Sequence, residues 1–194
     1  MISNLTFAVL DTETTGFNPD KGDRLLEIGI VKIKNGKVSR EDAFETMINP
    51  ERNIPLSASR VNHITDEMVK DAPTIDKIIH DFVKFFDGVD YTLIHNAKFD
   101  IGFIERNLKK FGYEDFKMPK IICTMELSKA LYPHYNAHNL DAIAKRFGLS
   151  ITDGELRHRA LGDVILTGEV FLKFVEENPM LIFSMMDEIS SKFN

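Results

Sequence analysis

Two strand-like segments joined by a two-residue turn constrain the fold more than any other feature of the sequence. Leu25–Ile33 is a nearly continuous apolar run, and Lys37–Ile48 follows it after Asn35-Gly36. Asn-Gly favours a tight hairpin because both residues accept the positive φ angles that a type I′ turn requires. Together with the apolar segment Phe7–Asp11, these segments predict an antiparallel meander of three strands.

Beyond Pro55 the apolar residues recur at steps of three and four, which is typical of helices that cover a sheet. A short strand, Tyr91–Ile94, interrupts this pattern. Strands first and interleaved helices later predict an α/β fold, with a mixed sheet and helices on its faces. The predicted helices are one near Ser57–Asn62, one after Pro73, one from Ala97 to the stop signal Gly112, Thr124–Leu131, Leu140–Phe147, and about Arg159–Glu177.

The size and composition of the chain predict one domain. Its 194 residues are 43% hydrophobic, which suffices for one well-buried core. No segment rich in Gly, Ser or Pro marks a linker. We therefore predict a single domain over residues 1–194, with a core of about 5–177 and a short apolar helical tail, 178–194. The tail is expected to pack on the domain, with contact to a partner as the alternative.

Charge and cysteine content exclude several classes of protein. A net charge of −6 argues against a protein that coats nucleic acid through a broadly basic surface. An acidic chain can still bind a nucleic-acid end where metal ions supply positive charge locally. The single Cys123 excludes an internal disulfide, and no apolar run is long enough to span a bilayer. We expect a cytoplasmic protein that does not bind membranes.

Two carboxylates end the first apolar strand. Side chains two residues apart point to the same face of a strand, so Asp11 and Glu13 converge at a separation of about 7 Å. Two ionised groups at this distance repel each other unless a counter-charge lies nearby. The carboxyl end of a buried strand is also where α/β sheets tend to bind ligands. The alternative for an isolated Asp-x-Glu pair is a solvated strand end.

Two further carboxylates lie in predicted helices whose apolar stripes face the core. Asp100 and Asp163 each need a partner there, and helix capping or ion pairing is the usual reason for such a residue. Asn96 is a better cap candidate than Asp100. Four such carboxylates suit the oxygen preference of hard divalent cations. His158 is expected in the loop before the last long helix, where it could swing over the carboxylates and accept a proton from water.

Three motifs together resemble the DEDDh exonucleases, the family that contains the proofreading subunit or domain of bacterial DNA polymerase III. Their order and spacing make a chance resemblance very unlikely. Ile64–Met68 and Leu140–Ala144 also resemble the family, so the similarity covers nearly the whole chain. The motifs are Leu10–Gly16 (LDTETTG), His95–Asp100 (HNAKFD) and His158–Asp163 (HRALGD).

The resemblance implies a ribonuclease H-like fold, with a five-stranded mixed sheet whose first three strands are antiparallel. It also implies two divalent metal ions, Mg²⁺ or Mn²⁺, and removal of nucleoside monophosphates from the 3′ ends of single-stranded DNA, in proofreading during replication or repair. His158 would be the general base, since a sister group has a tyrosine where this chain has Arg159. The metal ligands would be Asp11, Glu13, Asp100 and Asp163.

Substrate contacts are also implied by the resemblance. Phe17 would wedge between the terminal bases, and packing of Phe17 on the core is the alternative. The family motif has His-Gly where this chain has Asn62-His63, so a contact from Asn62 departs from the pattern. The other substrate residues implied are Thr12, Thr14, Thr15 and Asn96.

Two other functions stay open at this point. One is an exonuclease that trims RNA, because relatives with the same carboxylates cleave RNA or DNA. The other is a module that docks on a DNA polymerase catalytic subunit and has secondary nuclease activity. The intact set of carboxylates with His158 argues against the second, since docking alone gives no reason to keep them.

Overall fold

A five-stranded mixed sheet lies at the centre of the computed structural model, which describes residues 2–150 and 158–193. The strand order is β3-β2-β1-β4-β5. Strands β1–β2 and β2–β3 pair antiparallel, whereas β1–β4 and β4–β5 pair parallel, so the predicted mixed sheet with an antiparallel meander is confirmed. The strands are β1 (Phe7–Thr14), β2 (Leu25–Lys34), β3 (Lys37–Met47), β4 (Tyr91–Ile94) and β5 (Ile121–Cys123).

All six predicted helices are present, with bounds that differ from the prediction by a few residues. Two short 3₁₀ turns, Ile2–Asn4 and Pro19–Lys21, accompany them. No helix in the described part of the chain is long and apolar enough to cross a membrane. The helices are α1 (Leu56–Asn62), α2 (Asp66–Val69), α3 (Ile75–Phe85), α4 (Ala97–Lys110), α5 (Thr124–Leu131), α6 (Leu140–Arg146), α7 (Ala160–Glu177) and α8 (Pro179–Ser190).

Strand β1 is longer than predicted, because it continues past Asp11 to Thr14. Asp11 pairs with Gly29 and Glu13 pairs with Glu27 on β2. The predicted end of the strand at Asp11 is therefore wrong, whereas Glu13 does lie next to its last residue. Both carboxylates lie within a paired strand, whose register shifts only after Glu13.

The sheet is covered on both faces, and β1 contributes alternate residues to two core clusters. Phe7 and Val9 pack in the cluster that contains Phe171 of α7. Ala8 and Leu10 pack in the cluster on the other face. All four β1 residues have no exposed surface. Continuous burial explains why the strand reads as an apolar run and not as an alternating pattern.

Helix α8 lies in the predicted tail. Ile182, Met186 and Ile189 are buried in the same cluster as Phe171, whereas Met180 and Leu181 are exposed. The predicted domain range 1–194 also includes residues 1, 151–157 and 194, which lie outside the described residues.

Helix α7 meets β2 backbone to backbone at Gly29. A Cβ atom at this position would lie 2.7 Å from the carbonyl carbon of Ala160, the first residue of α7. Gly29 is also the residue that pairs with Asp11 on β1. The absence of a side chain thus brings the first turn of α7, with Asp163, close to Asp11.

Replacement of Gly29 by Ala is expected to lower the free energy of unfolding by about 1–3 kcal/mol, because the added methyl group overpacks a backbone contact. Urea denaturation measures this change. Gly102→Ala is the matched control, since its Cβ would meet nothing closer than Pro19 Cγ at 3.9 Å. In a helix, that change should stabilise by roughly 0.5–1 kcal/mol. A Gly29→Ala variant as stable as the wild type would contradict the close contact.

Candidate active site

Three carboxylates from two elements meet beside the sheet. One side-chain oxygen each from Asp11, Glu13 and Asp163 lies within 4.8 Å of the other two. Asp11 and Glu13 point to the same face of β1, and Asp163 extends from the first turn of α7. All three are partly buried. The structure therefore brings together three of the four carboxylates that the sequence singled out.

The charge of this group is costly without a counter-charge. Burial raises the pKa of Glu13 to about 8, and the neighbouring Asp163, Glu27 and Asp100 act in the same direction. A hydrogen bond from Asn62 opposes them. A divalent cation among these oxygens would relieve the repulsion, and carboxylates are the donors that Mg²⁺ and Mn²⁺ prefer. The residues present thus fit a divalent metal ion.

Asp100, the fourth carboxylate, is held next to this group by Thr12. Its Oδ1 accepts a hydrogen bond from the Thr12 amide at 3.0 Å and from the Thr12 hydroxyl at 2.7 Å. Only 2% of Asp100 is exposed. Burial raises its pKa to about 7, although the bonds from Thr12 act in the opposite direction. Asp100 is thus a buried acid with one oxygen already bonded. It does not belong to the group of Asp11, Glu13 and Asp163, whose oxygens lie within 4.8 Å of one another.

Asn96 occupies the N-cap position of α4, as predicted, but it does not cap the helix with its side chain. Asn96 precedes α4 in the left-handed conformation, with φ 62° and ψ 46°, and its side chain makes no cap hydrogen bond. An N-cap residue normally has extended backbone, which directs its side chain at the free amides of the first turn. The substrate contact implied for Asn96 stays a prediction.

His158 lies where it was expected, in the loop directly before α7. Its side chain is exposed and its φ is 62°. It stands two residues before the first residue of the helix that carries Asp163. The exposed imidazole at this place is accessible to water.

The hydroxyls of the threonines in the first motif already have partners within the protein. Thr14 donates to the Gly16 carbonyl at 2.6 Å, and Thr15 accepts from the Arg24 amide at 3.0 Å. Thr12 donates to Asp100, as described above. The substrate roles implied for these three residues stay predictions, and the observed bonds order the turn that follows β1.

Phe17 projects from this turn into solvent. Its ring is 88% exposed, with only an edge contact to Phe99 at a centroid distance of 6.3 Å. The alternative that Phe17 packs on the core is therefore wrong. Asp23 secures the turn, since its carboxylate accepts bonds from the Asn18 amide at 3.0 Å and the Thr15 hydroxyl at 3.4 Å. An aromatic ring is thus presented to solvent on an ordered loop.

Asn62 is buried behind the first motif. Its amide nitrogen donates to the Thr14 carbonyl at 3.3 Å, its oxygen accepts from the Ile64 amide at 3.1 Å, and it also bonds Glu13. The next residue, His63, has the left-handed φ of 60° that the glycine of the family motif would accept without strain. The backbone conformation therefore accounts for the glycine of the motif, and Asn62 supports Glu13.

Glu27 is a functional candidate that the sequence analysis missed. It has no exposed surface and pairs with Glu13 across β1 and β2. The available signal was a lone carboxylate inside the apolar segment Leu25–Ile33, which a strand does not tolerate unless the carboxylate is paired.

Comparison with known proteins indicates the family of this chain. A sequence model of the RNase_T family, described as exonuclease, matches residues 8–171. The chain belongs to this exonuclease family. The "DNA polymerase III subunit epsilon-like protein" of Rhodobacter capsulatus is 39% identical over 90% of the chain. The "DNA polymerase III PolC-type" of Clostridium perfringens is 40% identical over 87% of it. The chain spans 24% and 11% of the lengths of these two relatives.

Solved structures agree on the fold. "Exonuclease X in complex with 5′ overhanging duplex DNA" superposes with a TM-score of 0.75 at 26% identity, over 95% of this chain and 99% of that one. The nuclease domain of 3′hExo, described as a DEDDh family member bound to rAMP, gives 0.76 at 16% identity over 89% and 92%. The predicted ribonuclease H-like fold and the predicted enzyme class, a DEDDh-type exonuclease, are confirmed.

In a chelator, the free energy of unfolding should fall as pH rises from about 4.5 to about 8. An unperturbed glutamate ionises near 4.5, whereas the pKa of Glu13 in the fold is about 8. The folded state therefore holds an extra proton in this window, and one proton contributes at most about 1.4 kcal/mol per pH unit. Urea denaturation across this range measures the slope. Glu13→Gln cannot take up the proton, so a slope equal to that of the wild type would contradict the assignment.

Proposed function

We propose that this exonuclease removes nucleoside monophosphates from the 3′ ends of single-stranded DNA, in proofreading during replication or repair. The convergence of Asp11, Glu13 and Asp163 is the observation that carries the proposal. The exposed ring of Phe17, four residues after Glu13 along the chain, supports it. In this proposal the carboxylates hold the hydrolytic site, and the exposed aromatic ring stacks on an unpaired base. The catalytic residues of the proposal are these three carboxylates, Asp100 and His158.

The cofactor in this proposal is a pair of divalent ions, Mg²⁺ or Mn²⁺. Asp11, Glu13 and Asp163 would hold the ions, with Asp100 in support. When bound, two such ions activate a water at one side of the scissile phosphate and stabilise the leaving 3′ oxygen at the other. Carboxylate oxygens on rigid β1 and on the first turn of α7 suit this task, because neither element needs to reorder.

The protein's own residues would supply the proton transfer and the orientation of the strand. His158 accepts a proton from the attacking water, which suits an imidazole because an ordinary histidine is largely neutral at physiological pH. Phe17 stacks on the terminal base, a contact that contributes about 1–3 kcal/mol without reading sequence. The further substrate contacts of the proposal are Thr12, Thr14, Thr15, Asn62 and Asn96.

DNA is favoured over RNA because the relatives at 39% and 40% identity are named for DNA polymerase III. The structure bound to rAMP shares only 16% identity with this chain, and RNA trimming remains the second candidate. A polymerase catalytic subunit is the proposed partner, by analogy with the same relatives. We propose residues 1–194 as one exonuclease domain, and the cytoplasmic location stays a prediction.

DNA strands with labelled or blocked ends test the direction of cleavage. With Mg²⁺, the chain should shorten a 5′-labelled single DNA strand, and a blocked 3′ terminus should protect the strand. Duplex DNA with blunt ends should be cut slowly, because Phe17 requires an unpaired base. Asp163→Asn should be almost inactive, whereas Asp115→Asn, an exposed carboxylate, should keep wild-type rates. Cleavage of a circular single strand would contradict the proposal, and faster degradation of matched RNA would favour the second candidate.

His158→Ala should reduce turnover about 10²- to 10⁴-fold, the usual contribution of a general base. Hydroxide can replace the base, so part of the loss should be recovered as pH rises. Initial rates between pH 6 and 10 measure both effects. His134→Ala, which removes another exposed histidine, serves as control. A pH profile of His158→Ala parallel to that of the wild type would remove His158 from this role.

A further inference from the structure

A fully buried carboxylate lies directly behind the candidate active site. Glu27 of β2 accepts three hydrogen bonds from the Arg159 guanidinium: Nε at 3.2 Å to Oε1 and 3.0 Å to Oε2, and Nη2 at 2.5 Å to Oε1. Its Oε2 also accepts from the amide of Ala160 at 2.9 Å. Burying a charge is expensive unless it is paired and bonded, and here both oxygens are bonded. Glu27 is therefore tied to two consecutive residues.

These two residues form the junction between the His158 loop and α7. Arg159 is the N-cap residue of α7, yet its side chain makes no cap bond, and Ala160 is the first helical residue. Glu27, from a different element, bonds an amide that the helix leaves free. A negative charge at this end is also favoured by the helix dipole. One strand residue thus performs the capping that the local sequence does not supply.

The position of the junction makes this pair relevant to the chemistry. His158 immediately precedes Arg159, and Asp163 lies three residues after Ala160. Rotation or fraying of the junction would move the imidazole and the carboxylate together. The strand that holds Glu27 also pairs with Glu13, so the junction is fixed to the strand that carries the other carboxylates.

The body of α7 does not depend on this pair. Val164, Val170, Phe171 and Phe174 have no exposed surface and pack in the main core cluster. Their burial fixes the axis of the helix. At the first residues the apolar contacts are smaller, since Ala160 is buried and Leu161 packs only partly on the core, and Glu27 adds hydrogen bonds that orient them.

We propose that the Glu27–Arg159 ion pair positions His158 and Asp163 for catalysis. The two residues are positioning residues and do not touch the substrate. The part that concerns His158 rests on its proposed role as general base. The part that concerns Asp163 requires only that this carboxylate contributes to a divalent metal site.

Glu27→Gln is the central variant, because it keeps the shape but removes the charge and half of the acceptor capacity. We expect kcat to fall about 10- to 100-fold, the usual cost of losing support behind a metal site, with KM changed less than about 2-fold. Arg159→Lys keeps the charge but cannot bond both oxygens, so it should retain an intermediate kcat. Glu41→Gln, the same change at an exposed position of β3, should keep the wild-type rate.

A double-mutant cycle separates positioning from a general loss of stability. If Glu27 acts through His158, Glu27→Gln should slow the His158→Ala enzyme much less than it slows the wild type. Equal fold-losses in both backgrounds would overturn the link to His158. The pH profile of Glu27→Gln should also approach that of His158→Ala, which a merely destabilised enzyme would not do.

Mn²⁺ binding, measured by calorimetry on the same variants, provides a readout that needs no substrate. Glu27→Gln should bind Mn²⁺ about 10-fold more weakly, because Asp163 is less well placed. If the wild type binds Mn²⁺ but leaves every DNA strand intact, the proposed function fails while this inference is still tested. Unchanged Mn²⁺ affinity in both Glu27→Gln and Arg159→Lys would overturn it. Arg159→Lys decides the outcome if Glu27→Gln does not fold.

Discussion

Repulsion among buried carboxylates is the constraint on which this structure depends. A sheet covered on both faces excludes water, yet its central strand carries Asp11 and Glu13, and α7 adds Asp163. The protein tolerates this arrangement because rigid elements hold the groups in place. Gly29 admits α7 to backbone contact with β2, and the helix body is fixed by apolar burial. Burial of the two core clusters thus stabilises the fold against the repulsion among these carboxylates.

Two carboxylates of the site have supports that differ in kind. Thr12 bonds Asp100 from the opposite face of β1. Strand β1 therefore carries Asp11 and Glu13 and also holds Asp100 in place. Asn62 bonds Glu13 from α1. Each of these hydrogen bonds joins two elements that are distant in sequence. The geometry of the site is therefore a property of the tertiary structure and not of any one motif.

Much of the fold was readable from the sequence, because its signals are periodic. The Asn35-Gly36 turn, the continuous apolar run of β1 and the apolar stripe of α4 each predicted an element that the structure contains. Strand β5 has three residues and α2 has four, so neither offers enough residues for a period to emerge. The extension of β1 to Thr14 was missed because polar residues there hid a pairing that β2 provides.

The site was predicted less completely than the fold. Spacing along β1 was enough to place Asp11 and Glu13 on one face, and the apolar stripe of α7 singled out Asp163. Sequence spacing says nothing about which side chains approach from other strands, so Glu27 was overlooked although it lies opposite Glu13. Residue preference placed Asn96 correctly at the N-cap position of α4, but it could not show that the left-handed backbone there comes without a side-chain cap bond.

The exposed ring of Phe17 separates substrate handling from folding. Because the ring buries almost none of its surface, the core does not depend on which side chain stands there, while Asp23 and its partners hold the loop. The residue at this position is free to change in size and shape at little cost in stability. Under the proposed function, a change of this single side chain alters which strand ends the nuclease accepts and leaves the carboxylates untouched.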